Sequence, residues 1–260
     1  MLKMTDNDEH KYAIILAAGK GKRMKSNIPK VLHKLSGKCL IDWVIESLVP
    51  LKLTKIAIVV GFMREKVIEH IESMWKNLNI EYIVQEELLG TADAVKCALP
   101  VLPEKGNTFV LCGDVPLITT KTLEKLLDFH ISQKASATIL TAIVPNPFGY
   151  GRILRNSDGS VKSIVEQRDA TDEQLEIREI NSGAYIFRLE DLCPIIDEID
   201  NKNSQGEYYL TDAIRILIEE GKKVSAITID NFWEIEGINS IEQLNKLEHE
   251  IINIRNNNLI

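Results

Sequence analysis

Two glycines and several basic residues near the N-terminus form the segment best suited to chemistry. The segment Leu16-Ala-Ala-Gly-Lys-Gly-Lys-Arg-Met24 ends a short apolar run, and Pro29-Lys30 follows it. Gly19 and Gly21 permit a positive φ and let main-chain N–H groups point at one oxygen-rich ligand. Arginine can bind two phosphate oxygens in parallel, and lysine supplies a mobile point charge. The segment therefore predicts a phosphate-binding loop, with charge supplied by Lys20, Lys22, Arg23 and Lys30.

A plainer interpretation of the same loop stays open on local physics, because Gly-x-Gly is common. The segment has no third glycine at the position that a Rossmann fingerprint requires. It also lacks the Gly-Lys-Ser/Thr ending of a Walker A loop. An ordinary strand-to-helix turn with solvated lysines would explain the same residues.

Short apolar strands alternate with helices in the first half of the chain. This alternation is typical of a parallel, doubly wound sheet, in which ligands bind beyond the carboxyl ends of the strands. The turns after Ala17, Val84 and Cys112 fall at those ends. The predicted strands are 12–17, 55–60, 81–84 and 108–112, and the predicted helices are 41–49, 64–74 and 91–98.

The second half of the chain mixes strands and helices around a hairpin turn at Asp158-Gly159. We divide the chain into a leader (1–11), one domain (12–240) and a C-terminal helix (241–260). The apolar stripe of that last helix favours packing on its own domain. The predicted strands are 137–144, 153–154, 161–166, 183–187 and 224–229, and the predicted helices are 211–220 and 241–255.

Composition limits the classes of partner and compartment. The net charge of -7 argues against non-specific nucleic-acid binding, which needs an excess of basic residues. The first apolar run, 13–18, is too short for a signal sequence or a membrane span, so we expect a cytoplasmic protein without a membrane partner. No Cys-x-x-Cys pair is present, which predicts reduced core thiols. The four cysteines are Cys39, Cys97, Cys112 and Cys193.

The N-terminal segment closely resembles the signature of the sugar-1-phosphate nucleotidyltransferases. The match runs from about Tyr12 to Glu248 and is most similar to the uridyltransferase domain of the bacterial bifunctional N-acetylglucosamine-1-phosphate uridyltransferase/glucosamine-1-phosphate acetyltransferases. It implies a Rossmann-like α/β nucleotidyltransferase domain, with a mostly parallel doubly wound sheet and an added β-rich sugar-binding region. The other segments that carry the resemblance are Pro29–His33, Leu89–Thr91, Gly113–Leu117, Gly149–Arg152, Ile164–Glu166, Asp169–Gln174, Glu179–Gly183, Gln205–Tyr209 with Thr211-Asp212, and Glu236–Asn239.

The resemblance implies a role for each residue of a UTP site. Arg23 and Lys30 would contact the UTP phosphates and stabilise charge as pyrophosphate leaves. Gln85 would read uracil, because a side-chain amide offers both a donor and an acceptor. The full set of nucleotide-binding positions implied is Ala17, Gly19, Gly21, Gln85, Gly90 and Thr91.

The resemblance also implies a metal site and a sugar site. Asp114 and Asn239 match metal ligands, and oxygen donors of this kind suit Mg2+. Taken alone, Asp114 could form an Asx turn and Asn239 could cap the last helix. The positions that match contacts to N-acetylglucosamine are Gly151, Glu166 and Asn181.

The activity implied is in-line attack by the phosphate of N-acetylglucosamine 1-phosphate on the α-phosphorus of UTP, giving UDP-N-acetylglucosamine and pyrophosphate. Two alternatives remain open: another hexose 1-phosphate or nucleotide, such as glucose 1-phosphate or CTP, and a non-catalytic binding module.

The sequence departs from the family pattern at three places. Cys112 stands where an aromatic residue is usual, and Ala92-Asp93-Ala94 replaces the usual Gly-His after Gly90-Thr91. The chain stops at Ile260 without hexapeptide repeats, so we expect no left-handed β-helix domain. The oligomeric state is left open by the sequence.

Overall fold

The computed structural model describes residues 10–256, with side chains as far as Ile251. Residues 1–9 of the predicted leader and 257–260 of the predicted C-terminal helix lie outside this range. Lys11, which we placed in the leader, is already the first residue of strand β1.

Eleven strands and eight α-helices make up the described residues, joined by short 3-10 helices. The strands are β1 Lys11–Ala17, β2 Lys34–Leu35, β3 Lys38–Cys39, β4 Lys55–Val60, β5 Ile80–Val84, β6 Asn107–Cys112, β7 Ala137–Ile143, β8 Arg152–Arg155, β9 Val161–Val165, β10 Glu179–Arg188 and β11 Val224–Ile229. The helices are α1 Leu40–Leu48, α2 Arg64–Met74, α3 Thr91–Ala98, α4 Thr120–Gln133, α5 Asp172–Leu175, α6 Leu189–Ile195, α7 Thr211–Glu219 and α8 Ile241–Asn256.

The central sheet has the order β11-β7-β10-β6-β1-β4-β5, and the β8–β9 hairpin joins it through β10. Strand β1 pairs in parallel with β4 and β6, and β4 pairs in parallel with β5. The predicted doubly wound α/β fold is therefore confirmed. Strand β10 runs antiparallel to both β6 and β7, which makes the sheet mixed.

Both faces of the sheet are buried. Alternate residues of β1 enter two separate cores, with Ile15 facing one and Ile14 facing the other, and neither side chain is exposed. Such a strand reads as a continuous apolar run, because helices cover both faces of the sheet.

Helix α4 lies outside the predicted elements. Thr119 caps it by accepting a hydrogen bond from the N–H of Thr122. Its buried residues Leu123, Leu126, Leu127 and His130 follow helical spacing. This spacing was the signal that would have found the helix.

Helix α8 packs on its own domain, as its apolar stripe predicts. Leu244, Leu247 and Ile251 form a small core with Met24 of the N-terminal loop and Leu117. The C-terminal helix therefore packs against the N-terminal glycine-rich loop. Among residues 10–256, no helix combines the length and the apolar character needed to cross a membrane.

The four cysteines are free, as expected for reduced thiols. Only Cys39 is fully buried, whereas Cys97, Cys112 and Cys193 are partly buried. Cys39 belongs to one core and Cys193 packs against the other, so the expectation of core thiols is confirmed for these two cysteines.

Candidate functional site

The predicted site residues gather at the carboxyl edge of the parallel strands. Ala17 ends β1, Gln85 follows β5, and Asp114 lies two residues after β6. The turns after these strands are joined by backbone hydrogen bonds: Gly113 donates to Leu16 O (2.9 Å), and Gln85 donates to Val60 O (2.9 Å). The parallel register thus brings together residues that are about 100 positions apart in sequence.

The glycine-rich loop is shaped by Gly21, whose φ is +62°. A methyl group added at Gly21 would lie 2.8 Å from Lys30 Cβ, so the glycine leaves space for the lysine stem. Gly19 has no neighbour within 4 Å of such a methyl group and does not need a positive φ. Arg23 lies exposed in a 3-10 helix, Lys22–Met24, and forms no hydrogen bond or ion pair with the described residues.

Lys30, Asp114 and Asn239 meet at one point. The ammonium group of Lys30 donates to Asp114 Oδ2 and to Asn239 Oδ1, the latter at 2.7 Å. The side chains of Lys30 and Asp114 are only 14 % and 17 % exposed, so water screens this ion pair weakly. Lys30 therefore lies with the two predicted metal ligands.

The Asp114 carboxylate and the Asn239 amide oxygen both point at the Lys30 ammonium group. Asn239 Nδ2 donates to Gly237 O at 3.3 Å, which turns Oδ1 toward Lys30. The backbone N–H of Asn239 donates to Gln243 Oε1 (2.8 Å), and Asp114 O accepts from Ile238 N (2.9 Å). One carboxylate and one amide oxygen, held in this way, are the donors that Mg2+ uses in proteins. The donor set fits the predicted metal.

Gln85 is buried, with 4 % exposure, at the start of the loop that leads to α3. Its Nε2 donates to Gly90 O at 3.1 Å and to Asp93 Oδ2 at 2.6 Å. The amide oxygen is left for a further partner, because no described residue donates to it. Gln85, Gly90 and Asp93 thus form one hydrogen-bonded unit.

The loop around Gly90 is joined to a distant segment. Tyr208 N donates to Leu89 O (2.8 Å), and Ala92 N donates to Tyr208 O (2.9 Å). The Thr91 hydroxyl accepts from Leu210 N at 3.0 Å and keeps its own proton for another acceptor. The positions predicted to bind the nucleotide, Gly90 and Thr91, are thus held by the chain near residue 210.

Gly151, Glu166 and Asn181, the positions predicted to contact the sugar, lie next to one another. The backbone N–H of Asn181 donates to Gly151 O at 2.9 Å. A methyl group added at Gly151 would lie 3.4 Å from Glu166 Oε1 and 3.5 Å from Asn181 Cβ. Asn181 Nδ2 donates to the Tyr185 hydroxyl at 2.6 Å, which fixes the amide.

Burial raises the pKa values of two side chains in this region, Glu166 and Tyr150. Burial raises the pKa of Glu166, the charges of Asp169 and Asp212 raise it further, and a hydrogen bond from Thr211 (3.4 Å) lowers it. Burial and the nearby Glu236 raise the pKa of Tyr150 to about 12.

Cys112 ends β6, with its Sγ 3.8 Å from Gly183 O on β10. Burial, followed by the charge of Asp114, raises the pKa of its thiol to about 12. Cys112 therefore stays a neutral side chain beside Gly183 at ordinary pH.

Three residues at this edge have contacts that we did not predict from sequence. Thr211 hydrogen-bonds Glu166, Tyr150 lies beside Gly237, and Asp93 holds Gln85. Thr211 and Tyr150 lie within segments that carried the family resemblance, which was the available signal. Asp93 lies within a departure from the family pattern, so the pattern gave it no role.

A glycine-rich basic loop, converging oxygen donors and a buried amide at one sheet edge can bind a nucleoside triphosphate beside a second anionic substrate. This arrangement is that of a nucleotidyltransferase. The chain belongs to the nucleotidyl transferase family, whose model matches residues 12–246.

The chain is 49% identical to the Bifunctional protein GlmU of Clostridium novyi over 95% of its own length and 53% of that protein. Identity to the protein of the same name from Lactococcus lactis subsp. lactis is 47%, over 92% of this chain and 51% of that protein. The predicted resemblance is confirmed, and the chain spans about half the length of these relatives.

The crystal structure of a UDP-glucose pyrophosphorylase complexed with UDP-glucose superposes with a TM-score of 0.75. It covers 94% of this chain and 99% of that chain at 19% identity. This likeness supports the Rossmann-like fold.

Proposed function

We propose that the protein transfers a uridylyl group from UTP to N-acetylglucosamine 1-phosphate, releasing pyrophosphate. The observation that carries this proposal is the convergence of Lys30, Asp114 and Asn239 beside the glycine-rich loop. A non-catalytic binding module has no need of a weakly solvated cation held by two oxygen donors.

Asp114 and Asn239 would hold Mg2+, which supplies positive charge to the triphosphate when bound. Arg23 is exposed and pairs with none of the described residues, so its side chain is available to the phosphates. Gly19 and Gly21 would direct main-chain N–H groups at the same oxygens. Transfer of this type depends on positioning and electrostatic stabilisation, with little covalent work for the protein.

Glu166, Asn181 and the backbone around Gly151 would bind the sugar. An ionised Glu166 accepts hydrogen bonds from sugar hydroxyls, and Asn181 has one amide proton that no described residue accepts. The attacking phosphate oxygen is already ionised, so no general base is required. The names of the relatives support a bacterial enzyme of this kind, and the free cysteines support a reducing, cytoplasmic compartment.

The test is pyrophosphate release with UTP and Mg2+, comparing N-acetylglucosamine 1-phosphate with glucose 1-phosphate and glucosamine 1-phosphate. We expect release with the acetylated sugar. Release with glucose 1-phosphate only would keep the chemistry and replace the sugar. Folded protein that is inactive with all three would contradict the proposal.

Variants test the metal ligands in the same assay. Asp114→Ala and Asn239→Ala should each lower kcat about 100-fold or more, because each removes charge stabilisation in the transition state. The matched controls are Asp128→Ala on α4 and Asn245→Ala on α8, both exposed and outside the site. Wild-type turnover in Asp114→Ala or Asn239→Ala would refute the metal assignment.

A further inference from the structure

The orientation of the Gln85 amide is fixed by two acceptors. Its Nε2 donates to Gly90 O at 3.1 Å and to Asp93 Oδ2 at 2.6 Å. A carbonyl and an ionised carboxylate can only accept, so both protons of Nε2 are used. A flipped amide would place Oε1 against two oxygens and lose both hydrogen bonds.

Asp93 lies in the first turn of α3 and is partly buried, with its Oδ2 2.6 Å from Gln85 Nε2. The carbonyl of Gly90 and the carboxylate of Asp93 both present oxygen atoms to this nitrogen. Two oxygen acceptors on one side therefore hold the amide in a single orientation.

The fixed amide presents one face to a ligand. With Nε2 occupied, the Oε1 of Gln85 is an acceptor without a donor among the described residues. Gln85 is 4 % exposed, so a group that fails to pair with Oε1 leaves a nearly buried oxygen without a hydrogen bond. Leaving such a group unpaired is costly, and sites of this kind reject ligands that lack the required proton.

We propose that Asp93 is a positioning residue that selects uracil over cytosine by keeping the Gln85 oxygen turned toward the base. This inference rests on the proposed function, in which Gln85 faces the base of the nucleotide. N3 of uracil carries a proton that Oε1 can accept. N3 of cytosine carries a lone pair, so in the same pose two acceptors meet.

The substitution Asp93→Asn tests the proposal with almost no change in size. An asparagine amide can offer either its oxygen or its nitrogen to Gln85, so a flipped Gln85 amide would keep one hydrogen bond and would face only the carbonyl of Gly90 as an unfavourable partner. The flipped amide therefore costs less in this variant than in the wild type. The flipped amide would donate to N3 of cytosine. Asp93→Glu keeps a carboxylate, which can still accept from Nε2.

The measurement is the ratio of kcat/KM for UTP to that for CTP, in pyrophosphate release with a saturating sugar phosphate. We expect a ratio of about 100 or more for the wild type, falling about tenfold or more in Asp93→Asn. The loss should be mainly in KM for UTP, with kcat at saturating UTP little changed. Asp93→Glu should restore most of the ratio, which a merely structural role for Asp93 would not require.

The matched control is Asp197→Asn. The Asp197 carboxylate pairs at 2.6 Å with Lys96, which lies on α3 like Asp93. This variant should keep the wild-type ratio. A folded Asp93→Asn protein with an unchanged ratio would overturn the proposal, as would a wild type that uses CTP as well as UTP.

Binding separates this inference from the proposed reaction. Calorimetric titration of UDP and CDP measures base preference without turnover. A wild type that prefers UDP but turns over no sugar phosphate would refute the reaction, and loss of that preference in Asp93→Asn would still support the role of Asp93. A wild type that binds neither nucleotide would overturn both.

Discussion

Replacing Gly90 by alanine perturbs the contact between the loop that leads to α3 and the segment that carries Tyr208. An alanine Cβ would lie 2.4 Å from Tyr208 O, 2.6 Å from its N and 2.9 Å from its C. All three atoms belong to the backbone, so no side-chain rotation can relieve the overlap. The φ of +131° at Gly90 is also unfavourable for any residue with a Cβ.

The cost of the substitution has two parts. Backbone strain at a residue held in a sparsely populated conformation costs roughly 1–3 kcal/mol. Relieving the overlap also separates Tyr208 from Leu89 and Ala92, which removes two backbone hydrogen bonds of about 1 kcal/mol each. The sum is roughly 3–5 kcal/mol. For a chain of this size it lowers Tm by about 6–20 °C.

Differential scanning calorimetry measures this loss directly. Gly19→Ala is the matched control, since its added methyl group meets nothing within 4 Å and its φ is not positive. The control should melt within about 2 °C of the wild type. If Gly90→Ala also melts there, the described contact between Gly90 and Tyr208 is wrong.

Two further predictions concern groups whose pKa is shifted by burial. The folded protein holds a proton on Glu166 more tightly than the unfolded chain does, because the pKa of Glu166 is raised in the folded state. Glu166 therefore stabilises the fold fully below the ordinary glutamate pKa. This stabilisation is lost as the pH rises through the raised pKa. Glu166→Gln cannot ionise and should therefore exceed the wild type in Tm at pH 7.5, with the difference shrinking toward pH 4; a difference independent of pH would contradict this reasoning. The thiol of Cys112, with a pKa of about 12, should react with iodoacetamide at pH 8 at least about 100-fold more slowly than free cysteine, as measured by peptide mass spectrometry. Rapid modification of Cys112 in the folded protein would refute the raised pKa of its thiol.

Local patterns were sufficient to predict the parallel half of the sheet. The apolar runs of β1, β4 and β6 and the glycine after β1 specify strands and a turn through short-range physics. The direction of β10 could not be predicted in the same way. Apolar periodicity shows that a strand exists, but it does not show which way the strand runs between its neighbours.

The candidate site was predictable as a set of residues but not as a set of contacts. Lys30 was expected to act with Arg23, and its pairing with Asp114 and Asn239 depends on distant segments meeting in the fold. The link from Asp93 to Gln85 spans only 8 residues, but it needs the turn at Gly90 to bring the two side chains together. Hydrogen-bond partners of this kind follow from backbone geometry, which residue types do not specify.

The meeting of Lys30 with Asn239 also has a consequence for synthesis of the protein. The two residues are separated by 209 positions, so the chain emerging from the ribosome contains the loop long before it contains the second oxygen donor. At about 5–20 residues per second, this interval lasts roughly 10–40 s. During that time the strands that precede Asn239 can pair, but Lys30 and Asp114 lack the third member of their cluster, which is completed only late in synthesis.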